Sequence, residues 1–227
     1  MDIAPLLYKN TMIEVKRRFL AIERILGAKK GKPRTLNEEF DNEFMWLQLR
    51  KIIELVSFGG IMADEQRYAA IRAEAKDNPN YKRDWKVGSI LKKLAEVTPH
   101  YLPRPIGDLL HLADGTKHFL EGDEQQTLER FVTIYELAGD YLHVPNPFDF
   151  ETLADFQHRL ETSRERLKME LEYLKKVLWN HVKIGLKFDG ATDLPRQDAD
   201  PENAWIIHFG QPQVDDVRMA LAKARAD

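Results

Sequence analysis

Apolar residues recur every three or four positions along most of this chain, which is the spacing of one face of an α-helix. Six segments between residues 8 and 180 carry the pattern, and short stretches with glycine, proline or asparagine separate them. The sequence therefore predicts a mainly α protein, a helical bundle of about six helices. The predicted helices cover about residues 8–27, 37–63, 64–76, 84–97, 124–142 and 149–180.

The second predicted helix is apolar nearly all the way round, which is typical of a helix at the centre of a bundle. One narrow polar stripe interrupts it. At roughly 100° per residue, Glu43, Arg50 and Glu54 fall within about 40° of one another. The stripe has two interpretations: a cleft wall in which Arg50 binds an anion that Glu54 orients, or a structural or solvent-facing ion pair at i, i+4 spacing.

The sixth predicted helix is the longest, and its apolar residues repeat at heptad spacing. At about 1.5 Å per residue it would be roughly 45 Å long. A helix of that length either packs across the whole domain or pairs with another chain, and we expect a homodimer. The heptad-spaced seam consists of Leu153, Phe156, Leu160, Leu167, Leu174 and Val177.

A small β-hairpin is predicted near residues 107–121, because Asp114-Gly115 stands between two short apolar runs. If these two residues form the whole loop, His111 lies directly opposite His118, with the two imidazoles about 5 Å apart. Two ligands do not make a zinc site, so an exposed polar face is the simpler interpretation.

The C-terminal part of the chain is mixed. Residues 182–209 predict a short β-hairpin, and a short charged helix is expected to begin at Val214. We therefore expect a helical bundle domain over residues 1–181, with residues 182–227 packed on the same domain.

The composition is that of an ordinary globular protein: 227 residues, 43% hydrophobic and 31% charged, with no cysteine. The lack of cysteine excludes disulfides and thiolate nucleophiles and agrees with a reducing compartment.

The longest apolar stretch, residues 55–63, is far shorter than the about 20 residues of a membrane-spanning helix, and no signal peptide is recognised. We expect a cytoplasmic protein with no membrane partner. Phosphate-binding, dinucleotide and zinc-helix motifs are missing, so neither a cofactor nor a metal is expected.

Positive charge is concentrated near the amino terminus, although the whole chain has a net charge of −3. Residues 14–34 contain eight basic residues against two acidic ones, a local charge of +6. This segment is either a solvated helix face that runs into a lysine-rich loop or a surface for nucleic acid or an acidic partner. The candidate nucleic-acid contacts are Lys16, Arg17, Arg18, Lys29, Lys30, Lys32 and Arg34.

The end of the fifth predicted helix offers a possible acid–base group. Glu136, Asp140 and His143 fall at i, i+4 and i+7, so two carboxylates and an imidazole share one face. The same stripe is equally expected for a solvated helix face. His143 itself stands where the helix gives way to a rigid Pro-Asn-Pro turn, which would hold its side chain within reach of a ligand.

Three motifs resemble a group of uncharacterised helical bacterial proteins over roughly residues 36–181. They are Leu-Gln-Leu-Arg-Lys-Ile-Ile-Glu at residues 47–54, Pro-Arg-Pro at 103–105, and Leu-His-Val-Pro-Asn-Pro-Phe at 142–148. The helical layout of that group is loosely similar to the HEPN class, which includes RNA-cutting toxins and defence proteins that are often dimeric.

The resemblance implies an RNA-associated toxin or phage-defence component and, if the protein is an enzyme, a metal-independent ribonuclease. His143 would then act as acid and base, while Arg50 or Arg104 would stabilise the phosphate. The implied catalytic residues are His143, Arg50, Glu54 and Arg104, and the implied ligand-binding residues are Asn146, Tyr135 and Glu43.

Active HEPN nucleases usually carry Arg-x4–6-His near a helix terminus. No arginine stands at that spacing before His143, and Arg104 and His111 have that spacing only within the predicted hairpin. The alternative is therefore a non-catalytic protein-interaction or dimerisation module.

Overall fold

A computed structural model describes most of the chain, with the backbone alone described at residues 108–111, 117–121, 153 and 156. The described residues are 4–29, 32–74, 80–111, 113, 117–122, 126–144, 146, 148, 152–185 and 204–221.

Six α-helices make up most of the described chain, which confirms the prediction of a mainly α fold with about six helices. The first helix begins four residues before the predicted start, because Tyr8 and its neighbours continue the amphipathic pattern. The helices are α1 Ala4–Leu26, α2 Glu38–Ala63, α3 Glu65–Ala73, α4 Val87–Val97, α5 Leu128–Leu142 and α6 Leu153–Leu178, with a 3-10 turn at Tyr81–Arg83.

Helix α2 is the central element of the fold, as its apolar circumference predicts. Its first turn is capped by the side chain of Asn37, which accepts a hydrogen bond from the backbone N–H of Phe40 (2.8 Å). The helix packs against α1, α4, α5 and α6. Gly59 permits the close approach of α1, since a Cβ there would lie 2.9 Å from the ring of Tyr8. The buried apolar residues of α2 are Met45, Trp46, Leu49, Ile52, Ile53, Val56, Ile61 and Ala63.

Helix α6 packs across the domain through its C-terminal half. Leu167, Leu174 and Val177 of the predicted seam are fully buried in the same core as α2. Glu170 is also buried, and it forms an ion pair with Arg130 of α5 (2.5 Å) that joins the two helices. This half of the seam is thus used within the molecule, and it presents no surface for pairing with a second chain.

The strands form one five-stranded antiparallel sheet in the order β2-β1-β3-β4-β5. Both predicted hairpins are present, and they are joined because Arg104 of β1 pairs with Val182 of β3. The strands are β1 Arg104–His111, β2 Lys117–Glu121, β3 Asn180–Ile184, β4 Ala204–His208 and β5 Arg218–Leu221.

The register of the first hairpin corrects one expectation. His111 pairs with Lys117, and His118 pairs with Leu110, so the two histidines are not opposite each other. Because residues 112–116 separate the paired ends, the loop has five residues and shifts the register by one. Asp114-Gly115 itself lies outside the described residues.

The helix predicted from Val214 is also wrong over residues 214–221. Residues 218–221 are strand β5, in which Arg218 pairs with His208 of β4. The physical reason lies in the preceding loop. The carbonyls of Val214 and Asp216 accept hydrogen bonds from the Lys16 ammonium (2.6 and 2.9 Å), so they converge on one side chain and do not point along a common helix axis.

Candidate functional site: a cleft between α2, α5 and α6

A cleft lies where the first turns of α2 meet the end of α5 and the exposed half of α6. Helices α2 and α5 run antiparallel, since Trp46 stacks on Tyr141 while Arg50, one turn further along α2, contacts Tyr135. This arrangement brings Glu43 and His143, two of the predicted site residues, into one lining. The lining residues are Glu39, Asn42, Glu43, Tyr141, His143, Arg159, Leu160 and Ser163.

The floor of this cleft is held by a buried hydrogen-bond network. The hydroxyl oxygen of Ser163 accepts hydrogen bonds from the side-chain amide of Asn42 and the indole N–H of Trp46, both at 2.8 Å. The ring of Tyr141 stacks on Trp46 with centroids 4.7 Å apart and planes 18° apart. Trp46 and Ser163 are fully buried. These contacts fix the floor before any ligand arrives.

One acceptor of the floor is not used. The side-chain oxygen of Asn42 is buried and has no hydrogen-bond partner among the described residues, although the residue is only 6% exposed. An unsatisfied buried polar atom costs about 1–3 kcal/mol. Asn42 therefore has an unmet capacity to accept a hydrogen bond beside the cleft.

The walls carry mixed charge. Glu39 is half-buried and Glu43 is exposed, and both line the side formed by α2. Arg159, which is half-buried on α6, has its guanidinium carbon 6.0 Å from the centre of the Tyr141 ring. His143 is exposed, and its backbone N–H closes α5 by donating to the carbonyl of Gly139 (3.2 Å).

Arg50, Glu54 and Tyr135 form a separate cluster along the α2–α5 contact and are not among the residues that line the cleft. The guanidinium of Arg50 lies 3.5 Å from the carboxylate of Glu54 and donates to the hydroxyl of Tyr135 (2.5 Å). It also lies over the Tyr135 ring, 4.1 Å from its centre, and against the backbone of Gly139. The described contacts are those of an i, i+4 ion pair that joins two helices, the structural one of the two interpretations.

Arg104 and Asn146 also do not line the cleft. Arg104, at the start of β1, is hydrogen-bonded to the ring of His100 (2.8 Å). Asn146 is exposed, and its side-chain oxygen accepts a hydrogen bond from the backbone N–H of Phe148 (3.2 Å), which shapes the turn after α5.

Most of the described basic residues between Lys16 and Arg34 are exposed, but Lys16 does not face solvent. It is 1% exposed, and its ammonium lies 2.5–2.9 Å from four backbone carbonyls of the loop after β4. The expectation that Lys16 contacts nucleic acid is therefore wrong, because a distant loop encloses its charge. The four carbonyls belong to Phe209, Gln211, Val214 and Asp216.

The next two basic residues have acidic or amide partners. Arg17 is exposed and forms a two-pronged ion pair with Asp215 (2.7 and 2.5 Å). Arg18 is half-buried between Glu14 and the side-chain oxygen of Gln48 (2.6 Å to Gln48). Of the remaining candidates, Lys29, Lys32 and Arg34 are exposed, while Lys30 lies outside the described residues.

Asp41 fixes the position of this basic loop relative to the cleft. Its buried carboxylate accepts hydrogen bonds from the backbone N–H groups of Arg34 (2.9 Å) and Thr35 (2.8 Å). Burial alone would raise the pKa of Asp41, but these hydrogen bonds outweigh it, so the pKa lies below its usual value. The loop is thereby attached to the first turn of α2, next to Glu39.

Exposed apolar side chains stand close in sequence to the residues that line the cleft, and this exposure was not predicted. Phe40, Phe44 and Leu47 follow one face of α2 at i, i+4 and i+7 and are 37–43% exposed. A helix that is apolar on every side cannot bury all of its faces against its neighbours, so one apolar face is exposed. The i, i+4, i+7 spacing of these three residues was the signal in the sequence for that face. Three more such residues adjoin the lining in sequence: Leu36 (86% exposed), Val144 (91%) and Phe148 (90%).

A scan against protein-family profiles, a search of curated proteins and a search of solved structures each find no match to this chain. Among the helices that the structure describes, none combines the length and apolar character needed to cross a membrane. Within the same residues, no three His, Asp or Glu side chains cluster as a metal site would require.

Proposed function

We propose that this protein is a non-catalytic interaction module that binds another protein through the cleft and its apolar border. The observation that carries the proposal is that six large apolar side chains are exposed in the two stretches of sequence that supply the α2 and α5 sides of one preformed cleft. This docking surface, called the cleft face below, consists of the lining residues together with Leu36, Phe40, Phe44, Leu47, Val144 and Phe148.

The composition of the cleft face is that of a binding surface. Isolated exposed apolar residues are ordinary, but six of them in two short stretches of sequence, three of them phenylalanines, are not. Protein interfaces concentrate their binding energy in a few aromatic and arginine side chains near a rigid, well-packed centre. Here the stacked pair of Trp46 and Tyr141 supplies such a centre.

The charge of the cleft favours a partner other than a second copy. A symmetric dimer through this face would place the same patch on both subunits, and so bring the Glu39 and Glu43 carboxylates of two chains close together. The predicted homodimer remains a prediction, but the seam on which it was based is buried at Leu167, Leu174 and Val177. A partner that presents basic groups matches the face better.

The test compares two substitutions that remove exposed apolar surface. Tagged wild-type protein, a Phe40→Gln/Phe44→Gln variant and a Trp85→Ser control are used to capture proteins from the native cell. Trp85 is 66% exposed but does not belong to the cleft face. A protein that depends on Phe40 and Phe44 is then purified, and its dissociation constant is measured by calorimetry.

The proposal expects binding to the purified partner to weaken at least about tenfold in the double variant and to be unchanged in the control, since hot-spot residues cost more than about 1 kcal/mol each. Equal affinities for all three proteins would overturn it. A stable homodimer by light scattering that the double variant abolishes would also contradict it, because the occupant would then be a second copy.

A second candidate is the metal-independent ribonuclease suggested by the HEPN resemblance, in a toxin or phage-defence setting. The observation in its favour is that His143 and Arg159 line the same cleft, while Lys29, Lys32 and Arg34 are exposed in the loop before α2. His143 would accept the proton of a ribose 2′-hydroxyl. The 2′ oxygen would bond to phosphorus, and the 5′ oxygen would leave with a proton from solvent, giving a 2′,3′-cyclic phosphate.

Charge argues against this candidate, because Glu39 and Glu43 line the cleft that would have to hold a phosphate. The two candidates separate cleanly in one assay. Cleavage of a labelled single-stranded RNA by wild-type protein, lost in His143→Gln and in Arg159→Gln but retained in the Trp85→Ser control, would establish the ribonuclease. The interaction module predicts no cleavage by any of the four proteins.

A further inference from the structure

Hydrogen-bond acceptors line the α2 side of the cleft. These acceptors are the carboxylates of Glu39 and Glu43, and Asn42 of the same lining has an enclosed side-chain oxygen with no partner among the described residues. The two carboxylates of the cleft outnumber its one guanidinium, that of Arg159. A ligand that complements this lining therefore brings several N–H donors and a positive charge.

An aromatic face completes the site. Tyr141 is backed by Trp46, so its ring cannot rotate away without breaking a buried stack. Arg159 already approaches this ring, at 6.0 Å from its centre, which is the outer limit of a cation–π contact. A planar cation can therefore lie against the same ring system between the α2 carboxylates and α6.

We infer that the cleft binds an arginine side chain presented by the partner protein, an inference that rests on the proposed interaction function. A guanidinium suits the site better than an ammonium does. It carries five N–H donors in a planar fork, so it can form a two-pronged pair with a carboxylate while its face contacts Tyr141. Apolar neighbours of that arginine would then contact Phe40 and Phe44 at the border.

The probe for this inference is Nα-acetyl-arginine methylamide, which carries the side chain without a charged backbone. Its neutral isostere, Nα-acetyl-citrulline methylamide, and the lysine equivalent serve as matched controls. Binding is followed by the NMR signal of the Trp46 indole N–H, because that group donates to Ser163 in the cleft floor. We expect a saturable shift with the arginine compound in the millimolar range, and at least about tenfold weaker binding of both controls.

Two variants show where the probe binds. Glu43 is exposed, so Glu43→Gln keeps the fold and is expected to weaken binding of the arginine compound about tenfold. Arg159→Gln removes the resident positive charge and is expected to strengthen binding severalfold. Weaker binding in Arg159→Gln would overturn the inference, because Arg159 would then be the group that recognises an anionic ligand. Equal binding of the lysine and arginine compounds would overturn it as well.

The outcome is separable from that of the proposed function. If the purified partner depends on Phe40 and Phe44 but the arginine compound does not bind, the cleft face is a docking surface without an arginine anchor. If the compound binds as expected and no protein depends on the border residues, the site recognises arginine but the interaction module is wrong.

Discussion

Where α1 meets the C-terminal strands, a region called the junction below, the buried side chains of Lys16 and His181 have hydrogen-bond partners within the chain. On the cleft face, by contrast, a buried oxygen lacks a partner among the described residues and large apolar side chains are exposed. At the junction, the Lys16 ammonium contacts four carbonyls. Both ring nitrogens of buried His181 are hydrogen-bonded, one to Tyr8 (2.9 Å) and one to the carbonyl of Leu178 (2.8 Å). At the cleft, the buried oxygen of Asn42 has no partner among the described residues.

This difference separates stability from recognition. A buried group whose partners all lie within the chain stabilises the fold, and its removal leaves those partners without a hydrogen bond. An exposed apolar side chain such as Val144 contributes little to the core, so its role must be sought outside the molecule. Substitutions at the junction should therefore lower the free energy of unfolding, and substitutions on the cleft face should lower affinity.

The largest expected effect is at Lys16. Lys16→Met keeps the length and apolar stem of the side chain but removes the donor that four backbone carbonyls share. The carbonyl of Phe209 is buried, while that of Gln211 keeps a second donor, the N–H of Val214 (3.2 Å). We expect the free energy of unfolding to fall by on the order of 3 kcal/mol or more, as measured by urea denaturation followed by circular dichroism. Lys29→Met, at an exposed lysine in the same basic segment, should change it by less than about 0.5 kcal/mol.

If Lys16→Met were as stable as wild type, the carbonyls would have to find other donors. The contrast between a junction whose buried polar groups have partners and a cleft with an unpartnered acceptor would then lose its main support. A companion experiment uses Lys16→Ala, which leaves room for an added alkylammonium ion. n-Propylammonium is expected to raise the melting temperature of Lys16→Ala and to leave that of Lys29→Ala unchanged.

His181 should give the junction a pH dependence. Burial, reinforced by the charge of Lys183, lowers the pKa of His181 from 6.5 to about 4. The unfolded chain therefore takes up a proton at a higher pH than the folded chain does. Stability should fall as the pH drops from about 6.5 to about 4, by at most about 3 kcal/mol from this group.

The measurement is the free energy of unfolding at several pH values in that range. His181→Gln cannot titrate, so it should lose this part of the slope even if it is less stable overall. His158→Gln, at an exposed histidine of α6, is the matched control. An identical slope in wild type and His181→Gln would contradict the assignment of this pH dependence to the junction.

Ser163 lines the cleft, but its substitution should lower the free energy of unfolding, as substitutions at the junction do. Ser163→Ala removes the oxygen that accepts hydrogen bonds from Asn42 and Trp46. We expect a loss of about 1–3 kcal/mol in the free energy of unfolding, because two buried donors are left unpaired. Thr162→Ala, at the exposed neighbouring position, should have a much smaller effect. Equal stabilities of the two variants would mean that the floor is not preformed.

The helices of this fold could be predicted because their signal is local. The spacing of apolar residues over a few turns determines which face is buried, and α2 and three seam residues of α6, Leu167, Leu174 and Val177, follow that rule. The fate of Lys16 could not be predicted, since it depends on a loop about two hundred residues further along the chain. The same loop explains why the predicted helix after Val214 is a strand.

The cleft could be predicted only in part. Glu43 and His143 were candidates, but their meeting depends on the antiparallel packing of α2 and α5, which no local pattern encodes. Arg159 was missed because it looks like any solvated charge on α6. Ser163 did carry a signal, since it is a polar residue on the seam face between Leu160 and Leu167, and such residues usually have a specific partner.

The smallest expected effect on stability is on the border of the cleft face. Leu36 and Val144 are 86% and 91% exposed, so a Leu36→Ser/Val144→Ser variant removes almost no buried surface. Its free energy of unfolding should lie within about 0.5 kcal/mol of the wild-type value, while its affinity for the purified partner falls about tenfold. A loss of stability larger than about 1 kcal/mol would show that these side chains stabilise the fold. The junction and the cleft face would then differ only in how much each contributes to stability.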